Sequence, residues 1–470
     1  MFFVNLSVFL CNYFALILLL RWRDELKVLI FGFGAHGGGF SAAKYFLNKG
    51  NEVRITDIRS RKQLGESLTY FEKLGVKTTC GAHEESDFIW ADLVIKNPAI
   101  KADNKFLSLA KKCATDFSIM FSSPLISKIK LIAITGTKGK TTTAAMVNHI
   151  LNKTGHLSMQ CGNMGISTFL ILEELEKLKK NKKPFPEYLV CEMSSWQVAD
   201  VYALHSKMPN IEIATITNLM EDHLNYYNNI NDYLNDKLLM LKFKCKSIIS
   251  SNELRPVIAN YLKINLSKII SIENTTKKLV DLNPIYYPAF TVCKTLKIRK
   301  DIILKNIKTF PGIPHRNEFV RLIGNTIFVN DSAATIPMAV NFCITNNFQN
   351  LPYYLICGGT DKNLHPEPMI DALKKSQEVV LLDGSFTKEK LIPLLKDLKI
   401  KYKGPFTEMK DAVNSCWKIA KEHINDLNNQ TIFLSPGASS FENFTNEYDR
   451  GNKYKIAVNT IYENEIKQNE

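Results

Sequence analysis

The segment Leu131-Ile-Ala-Ile-Thr135, running straight into Gly136-Thr-Lys-Gly139-Lys140-Thr141-Thr142-Thr143 and then into Ala144 to Leu151, constrains this chain more than any other. A short apolar run, a glycine loop and an amphipathic run stopped by Gly155 predict strand, loop and helix in that order. Glycines in such a loop let backbone N–H groups turn inward onto phosphate oxygens, and the helix N-terminus adds positive potential. Lys140 is placed to neutralise β/γ-phosphate charge, and Thr141 offers a hydroxyl to Mg²⁺. The full G-x-x-x-x-G-K-[ST] spacing is not met, because its first glycine would fall on Ile134. Gly136, Thr137, Lys138, Gly139, Lys140, Thr141 and Thr142 are the expected contacts of a nucleoside triphosphate.

Short apolar runs alternate with amphipathic stretches on both sides of this unit, which predicts doubly wound α/β architecture. Leu26 to Phe31, Glu52 to Thr56 and Ala91 to Ile95 read as parallel strands, with a helix over Ser41 to Asn48. A second series comprises Lys130 to Thr135, Tyr188 to Cys191 and Ile211 to Thr217. A third comprises Thr326 to Asn330, Tyr353 to Cys357, Val379 to Leu382 and Thr431 to Leu434. Pro and Gly break the pattern at Ser122-Ser123-Pro124 and at Pro311-Gly-Ile-Pro314. These breaks divide the 470 residues into an apolar extension over 1–25 and three domains over 26–123, 124–313 and 314–470.

The formal net charge of +14 is spread along the chain without a basic block, so it favours anionic small molecules over nucleic acid. The ten cysteines are scattered with no C-x-x-C pair, as expected of reduced thiols in a cytoplasmic protein. Met1 to Leu20 is almost wholly apolar and is followed by Arg21 and Arg23. It reads as a start codon set too early, ahead of a signal anchor or an additional packed element, and all three readings keep the working domains cytoplasmic. The chain is expected to be a monomer.

Two further strand ends should open on the edge of the sheet that carries the phosphate loop. They bring Glu192-Met-Ser-Ser-Trp-Gln197 and Glu221-Asp-His223, so Glu192 and His223 are candidate Mg²⁺ ligands beside Thr141. Gly32-Phe-Gly34-Ala-His-Gly37 follows the first strand, and Asp57 lies twenty residues beyond Gly37. That spacing is the dinucleotide fingerprint, yet the same loop holds any diphosphate, so a uridine diphosphate suits it as well as NAD.

Gly136 to Thr143, Glu192 to Gln197, Glu221 to His223, Gly312-Ile-Pro-His315-Arg316, Asn330-Asp331-Ser332, Gly358-Gly-Thr-Asp-Lys362 and Leu434-Ser-Pro-Gly-Ala-Ser-Ser-Phe441 together resemble the Mur ligases in order and spacing. The resemblance covers about residues 26 to 460 and is strongest to the D-glutamate-adding branch. It implies an N-terminal Rossmann-like domain for a UDP-sugar, a central ATPase sheet and a C-terminal Rossmann-like domain. It implies that ATP phosphorylates the carboxylate of UDP-N-acetylmuramoyl-L-alanine, that the amine of D-glutamate attacks the acyl phosphate, and that two Mg²⁺ ions assist in peptidoglycan precursor synthesis.

By the same resemblance, Thr141, Glu192 and His223 are metal and phosphate residues, with Lys140, His223, Lys237 and His315 catalytic. Lys237 corresponds to a lysine whose carbamate supplies a further metal ligand; without the resemblance it reads as an exposed helical lysine. Gly34, Ala35, His36, Asp57, Arg59 and Asn163 correspond to UDP-sugar contacts, Arg316 and Asp331 to ATP contacts, and Thr335, Lys362, Ser440 and Phe441 to the glutamate pocket. The chain departs from the family at three places. Ala333 replaces a lysine, Asn283-Pro-Ile-Tyr-Tyr-Pro288 stands where G-x-H-N-x-x-N is usual, and Glu447 replaces a phenylalanine, with Tyr448 beside it. Another amino-acid ligase of the Mur or folylpolyglutamate type, a non-catalytic nucleotide-binding regulator and a hydride-transferring enzyme are the alternative readings.

Overall fold

The computed structural model describes residues 25–34, 37–162, 166–204, 210–220, 227, 229–279, 282–347, 352–422 and 429–469. Residues 1–24 of the apolar extension and the candidate residues Ala35, His36, Asn163 and His223 lie outside the described residues. Among the described residues no helix is long and apolar enough to cross a membrane.

Three sheets carry the fold. The first contains β1 (Lys27–Phe31), β2 (Glu52–Asp57), β3 (Lys77–Cys80), β4 (Leu93–Lys96) and β5 (Cys113–Ala114) in the order β3-β2-β1-β4-β5, all parallel. The order reverses at β1, so the loop that follows it sits at the switch point where such sheets take ligands. The second contains β6 (Lys130–Thr135), β7 (Ser158–Gly162), β8 (Tyr188–Glu192), β9 (Asn210–Ile216), β10 (Lys244–Ser250) and β11 (Ile269–Ser271) in the order β11-β10-β9-β6-β8-β7, again all parallel. β6 therefore lies between β8 and β9, and their C-terminal ends share one edge.

The third sheet contains β12 (Glu318–Ile323), β13 (Thr326–Asn330), β14 (Tyr353–Cys357), β15 (Glu378–Leu382), β16 (Tyr402–Phe406) and β17 (Gln430–Leu434) in the order β12-β13-β17-β14-β15-β16. It is mixed, because β12 joins β13 antiparallel while the other pairs are parallel. The described chain forms two compact units that meet in sequence at Phe310 and Pro311. In the first unit one apolar cluster runs from Val28 and Phe46 of the first sheet's layer to Phe169 and Leu189 of the second. In the second unit separate clusters line the two faces of the third sheet, around Ile432 and Val380 and around Leu355 and Val379.

The central strands form where the sequence places unbroken apolar runs. Leu131 to Thr135 are all buried, as parallel strands covered by helices on both faces require. The strand expected from Ala91 begins at Leu93, and the helix expected from Ser41 begins three residues earlier at Gly38. That early start lets Gly39 pack against the strand end. A Cβ there would lie 2.2 Å from the Phe33 carbonyl oxygen, so only glycine permits this approach.

Candidate active site

The loop after β6 turns through Gly136, at φ 143°, and Gly139, at φ 79°, before the helix Lys140–Lys153 begins. A Cβ on Gly136 would lie 2.0 Å from Thr217 Oγ1, so the end of β9 is pressed against the loop. Thr217 Oγ1 donates to the Lys138 carbonyl at 2.6 Å, and the Lys138 N–H donates to Asn218 Oδ1 at 2.9 Å. Thr137 Oγ1 donates to the Met220 carbonyl at 3.2 Å, while the Met220 N–H donates back to it at 3.0 Å. The strand end thus fixes the loop from one side.

Two ammonium groups fix it from the other. Lys140 Nζ donates to the carbonyls of Gly136 and Thr137 at 2.9 Å each, and Lys237 Nζ donates to the Gly136 carbonyl at 2.8 Å. Lys237 is only 1% exposed, contrary to what a helical lysine usually does. The helix Ile230–Leu238 explains it: Tyr233 and Lys237 are four residues apart on one face, and both point inward. The Lys237 ammonium lies 4.2 Å from the Tyr233 ring centroid, and Tyr233 Oη donates to Thr137 Oγ1 at 3.3 Å. Thr142, half-buried, is the third residue of the helix Lys140–Lys153.

At the end of β8, the buried Glu192 accepts from Thr141 Oγ1 at 3.0 Å through each carboxylate oxygen. Paired hydroxyl and carboxylate oxygens are the hard donors that Mg²⁺ takes, so these two residues fit such an ion. Among the described residues no group of three or more His, Cys, Asp or Glu side chains gathers to hold a metal.

The loop after β1 is wired differently. The Gly34 N–H donates to Asp57 Oδ2 at 2.9 Å, the Arg59 N–H donates to Asp57 Oδ1 at 2.8 Å, and Asn97 Nδ2 donates to the Gly32 carbonyl at 3.0 Å. Gly34, Asp57 and Arg59 therefore come together at the end of β2, beside the left-handed Gly37 that starts the next helix.

In the second unit, His315 is buried at φ 64°, and its N–H donates to Glu318 Oε2 at 2.9 Å. Asn330 Nδ2 lies 3.0 Å from His315 Nδ1, which makes Nδ1 the acceptor and leaves the proton on Nε2. Burial, then the Lys455 charge, hold this imidazole below its ordinary value. Asp331 accepts from the Asn317 N–H at 3.2 Å and from Ser435 Oγ at 3.0 Å, while Arg316 is exposed. Lys362 Nζ donates to Thr335 Oγ1 at 3.2 Å. Ser440 is buried and Phe441 is 47% exposed, both following Ser439, which pairs with Thr360.

Several residues of these sites escape sequence reasoning. Asn97 and Thr217 follow strands without any motif of their own, and only the spatial adjacency of β1 with β4, and of β6 with β9, assigns them. Arg450 is fully buried, with Nε donating to Ser332 Oγ at 2.9 Å, Nη1 to the Ala438 and Ser439 carbonyls at 3.1 Å, and Nη2 to the Ser332 carbonyl at 2.8 Å. It clamps the Asp331 turn to the Ser440 loop. Ala333 donates its N–H to the His315 carbonyl at 3.0 Å, and the Tyr448 ring lies 5.6 Å from the His315 ring.

The sequence model of the Mur ligase middle domain matches residues 134–308, and that of the Mur ligase MurD-like N-terminal domain matches residues 26–117. The UDP-N-acetylmuramoylalanine–D-glutamate ligase of Borreliella afzelii (strain PKo) is 32% identical, with 93% of this chain and 99% of that protein covered. The protein of the same name from Treponema pallidum (strain Nichols) is 26% identical, with 93% and 98% covered. The crystal structure of the UDP-N-acetylmuramate–alanine ligase MurC from Thermotoga maritima shares the fold at a TM-score of 0.56 and 16% identity, covering 93% of this chain and 99% of that one. A relative this similar over nearly both full lengths, with the two family models matching residues 26–117 and 134–308, means that the chain belongs to the Mur ligase family.

Proposed function

We propose that this chain is an ATP-dependent amide ligase that adds D-glutamate to UDP-N-acetylmuramoyl-L-alanine in peptidoglycan precursor synthesis. The observation that carries this reading is the phosphate loop braced by two lysines and faced by Thr141 and Glu192, in a chain 32% identical to a D-glutamate ligase.

A carboxylate is a poor acyl donor until its charged oxygen is made part of a good leaving group. In the proposed reaction a carboxylate oxygen of the acceptor takes the γ-phosphoryl group of ATP, releasing ADP. The amine nitrogen of D-glutamate then attacks the acyl carbon, the C–O bond to phosphate breaks, and the amine loses a proton. Phosphoryl transfer is mostly a matter of positioning and of stabilising charge. Lys140 and the loop amides from Gly136 to Thr142 hold the β- and γ-phosphates, with Lys138 beside them. Thr141 and Glu192 are the residues that would hold Mg²⁺, joined by His223 and by Lys237 if it is carbamylated. When bound, Mg²⁺ supplies positive charge to the phosphate oxygens.

The loop around Gly34, Ala35 and His36, with Asp57, Arg59 and Asn163, takes the UDP-sugar. Arg316, Asp331 and His315 serve the nucleotide and the transferring group, and Thr335, Lys362, Ser440 and Phe441 receive D-glutamate, where a lysine suits a carboxylate. In this reading the working domains are 26–123, 124–313 and 314–470, and the enzyme acts as a cytoplasmic monomer. Phosphate release from ATP, followed with the acceptor and D-glutamate, with L-glutamate, or with no amino acid, tests the reading. The first mixture alone should turn over. Equal release with L-glutamate or with no amino acid would overturn it.

A further inference from the structure

The structure contains a buried charge cluster between the first two sheets that the reaction itself does not use. Lys96, the last residue of β4, is 2% exposed, and its Nζ lies 2.7 Å from Asp200 Oδ2 and 2.7 Å from the Ile100 carbonyl oxygen. Asp200 stands on the helix Ser195–Leu204, which begins three residues after Glu192. One turn earlier on the same helix, Gln197 is hydrogen-bonded to the side chain of Asp116, and its Oε1 accepts from the Ser194 N–H at 3.0 Å. On the other side, Asn97 directly follows Lys96 and holds the Gly32 carbonyl at 3.0 Å. The Asn97 side chain on the Gly32 carbonyl, the Lys96–Asp200 ion pair and the Ser194–Gln197 hydrogen bond therefore stand in succession between the first glycine loop and the segment just after Glu192, with Asp200 and Gln197 joined only by the backbone of their shared helix.

One ammonium here faces two carboxylates. Burial pushes Asp116 and Asp200 up to about 6 each, with Lys96 pulling both the other way. The neighbouring Cys113 thiol is pushed up to about 12 and the Cys161 thiol is also raised, so both stay neutral, and Asp236 adds further negative charge beside Asp200. Buried ion pairs of this kind are often replaceable by apolar residues without loss of stability, so stability alone gives little reason for one here. What the pair does provide is direction: it sets how the turn after β4 meets the helix after β8.

We infer that Lys96 is a positioning residue for the acceptor, joining the first glycine loop to the phosphate-binding lobe through Asp200. This inference rests on the proposed reading that the first glycine loop holds the UDP-sugar. The decisive variant is the full-length double substitution Lys96→Met with Asp200→Asn, which removes both charges of the pair and leaves Asp116 as the remaining carboxylate. Asp200→Asn alone is the milder second variant, because it keeps the Lys96 contact with the Ile100 carbonyl. For each, KM for the UDP-acceptor, KM for ATP and kcat are measured, together with calorimetric binding of the UDP-acceptor without ATP.

The expected result is a rise of about tenfold in acceptor KM and Kd for the double variant and a smaller rise for Asp200→Asn. ATP KM should stay within twofold. Equal acceptor affinity in wild type and both variants, or parallel loss of acceptor and ATP affinity, would overturn the inference and leave the pair as a purely structural one. Wild-type protein that fails to bind the UDP-acceptor would overturn the proposed function itself, which keeps the two failures apart.

Discussion

The two glycine loops share one plan, strand then glycines then helix, and differ in what their polar groups meet. After β1, a carboxylate reaches the loop: Asp57 accepts the N–H groups of Gly34 and Arg59. After β6, the bracing groups are hydroxyls, an amide and two ammonium groups on the Gly136 and Thr137 carbonyls, and the Glu192 carboxylate meets the Thr141 hydroxyl. A carboxylate uses up amide donors and repels phosphate, whereas ammonium groups add positive charge where a triphosphate needs it. Loop geometry alone therefore suits either loop to phosphate. The surrounding charge favours the proposed placement of the triphosphate at the second loop and of the less charged sugar nucleotide at the first.

The largest way to break this comparison is Lys140→Ala. Phosphate release should fall by about a thousandfold or more, while calorimetric binding of the UDP-acceptor stays unchanged. Gly136→Ala should come next, because its Cβ would lie 2.0 Å from Thr217 Oγ1 and the φ of 143° disfavours any side chain. A stability loss of about 1–3 kcal/mol in urea unfolding, with loss of ATP binding, is expected. Asp57→Ala should act on the other loop only, raising acceptor KM roughly tenfold to a hundredfold and leaving ATP KM alone, as initial-rate kinetics would show.

The smallest effect belongs to His315. Its folded-state value lies below the ordinary 6.5, so protonation opposes folding. Its contribution to stability is full above about 6.5 and is lost as pH falls from there through the lowered value. Asp116 and Asp200, raised toward 6, act with the opposite sign: their effect on stability becomes less favourable as pH rises from about 4 to 6. The His315 term is therefore read as the difference between wild type and His315→Gln in melting temperature from pH 5 to 8. That difference should shift by a few degrees, with the wild type losing more on the acid side.

The sequence made the centres of the sheets plain and their margins obscure. β6, β8 and β14 are unbroken apolar runs because helices cover both their faces. β3, with the sequence Lys77-Thr-Thr-Cys80, is an edge strand without a fully buried residue, and it carries no such run. The phosphate loop was legible because its residues are contiguous. Lys237 was recognisable only by resemblance, since nothing in a nine-residue helix announces that a lysine faces inward. Asn97 and Arg450 act through contacts formed 65 and 118 residues away, which no local pattern encodes.

The central claim is that a carboxylate oxygen of the acceptor receives the γ-phosphoryl group. Acceptor labelled with oxygen-18 in that carboxylate, turned over with ATP and D-glutamate and analysed by mass spectrometry of the released phosphate, tests it most directly. The account predicts one labelled oxygen in each phosphate formed per amide. Amide formation with unlabelled phosphate would contradict it.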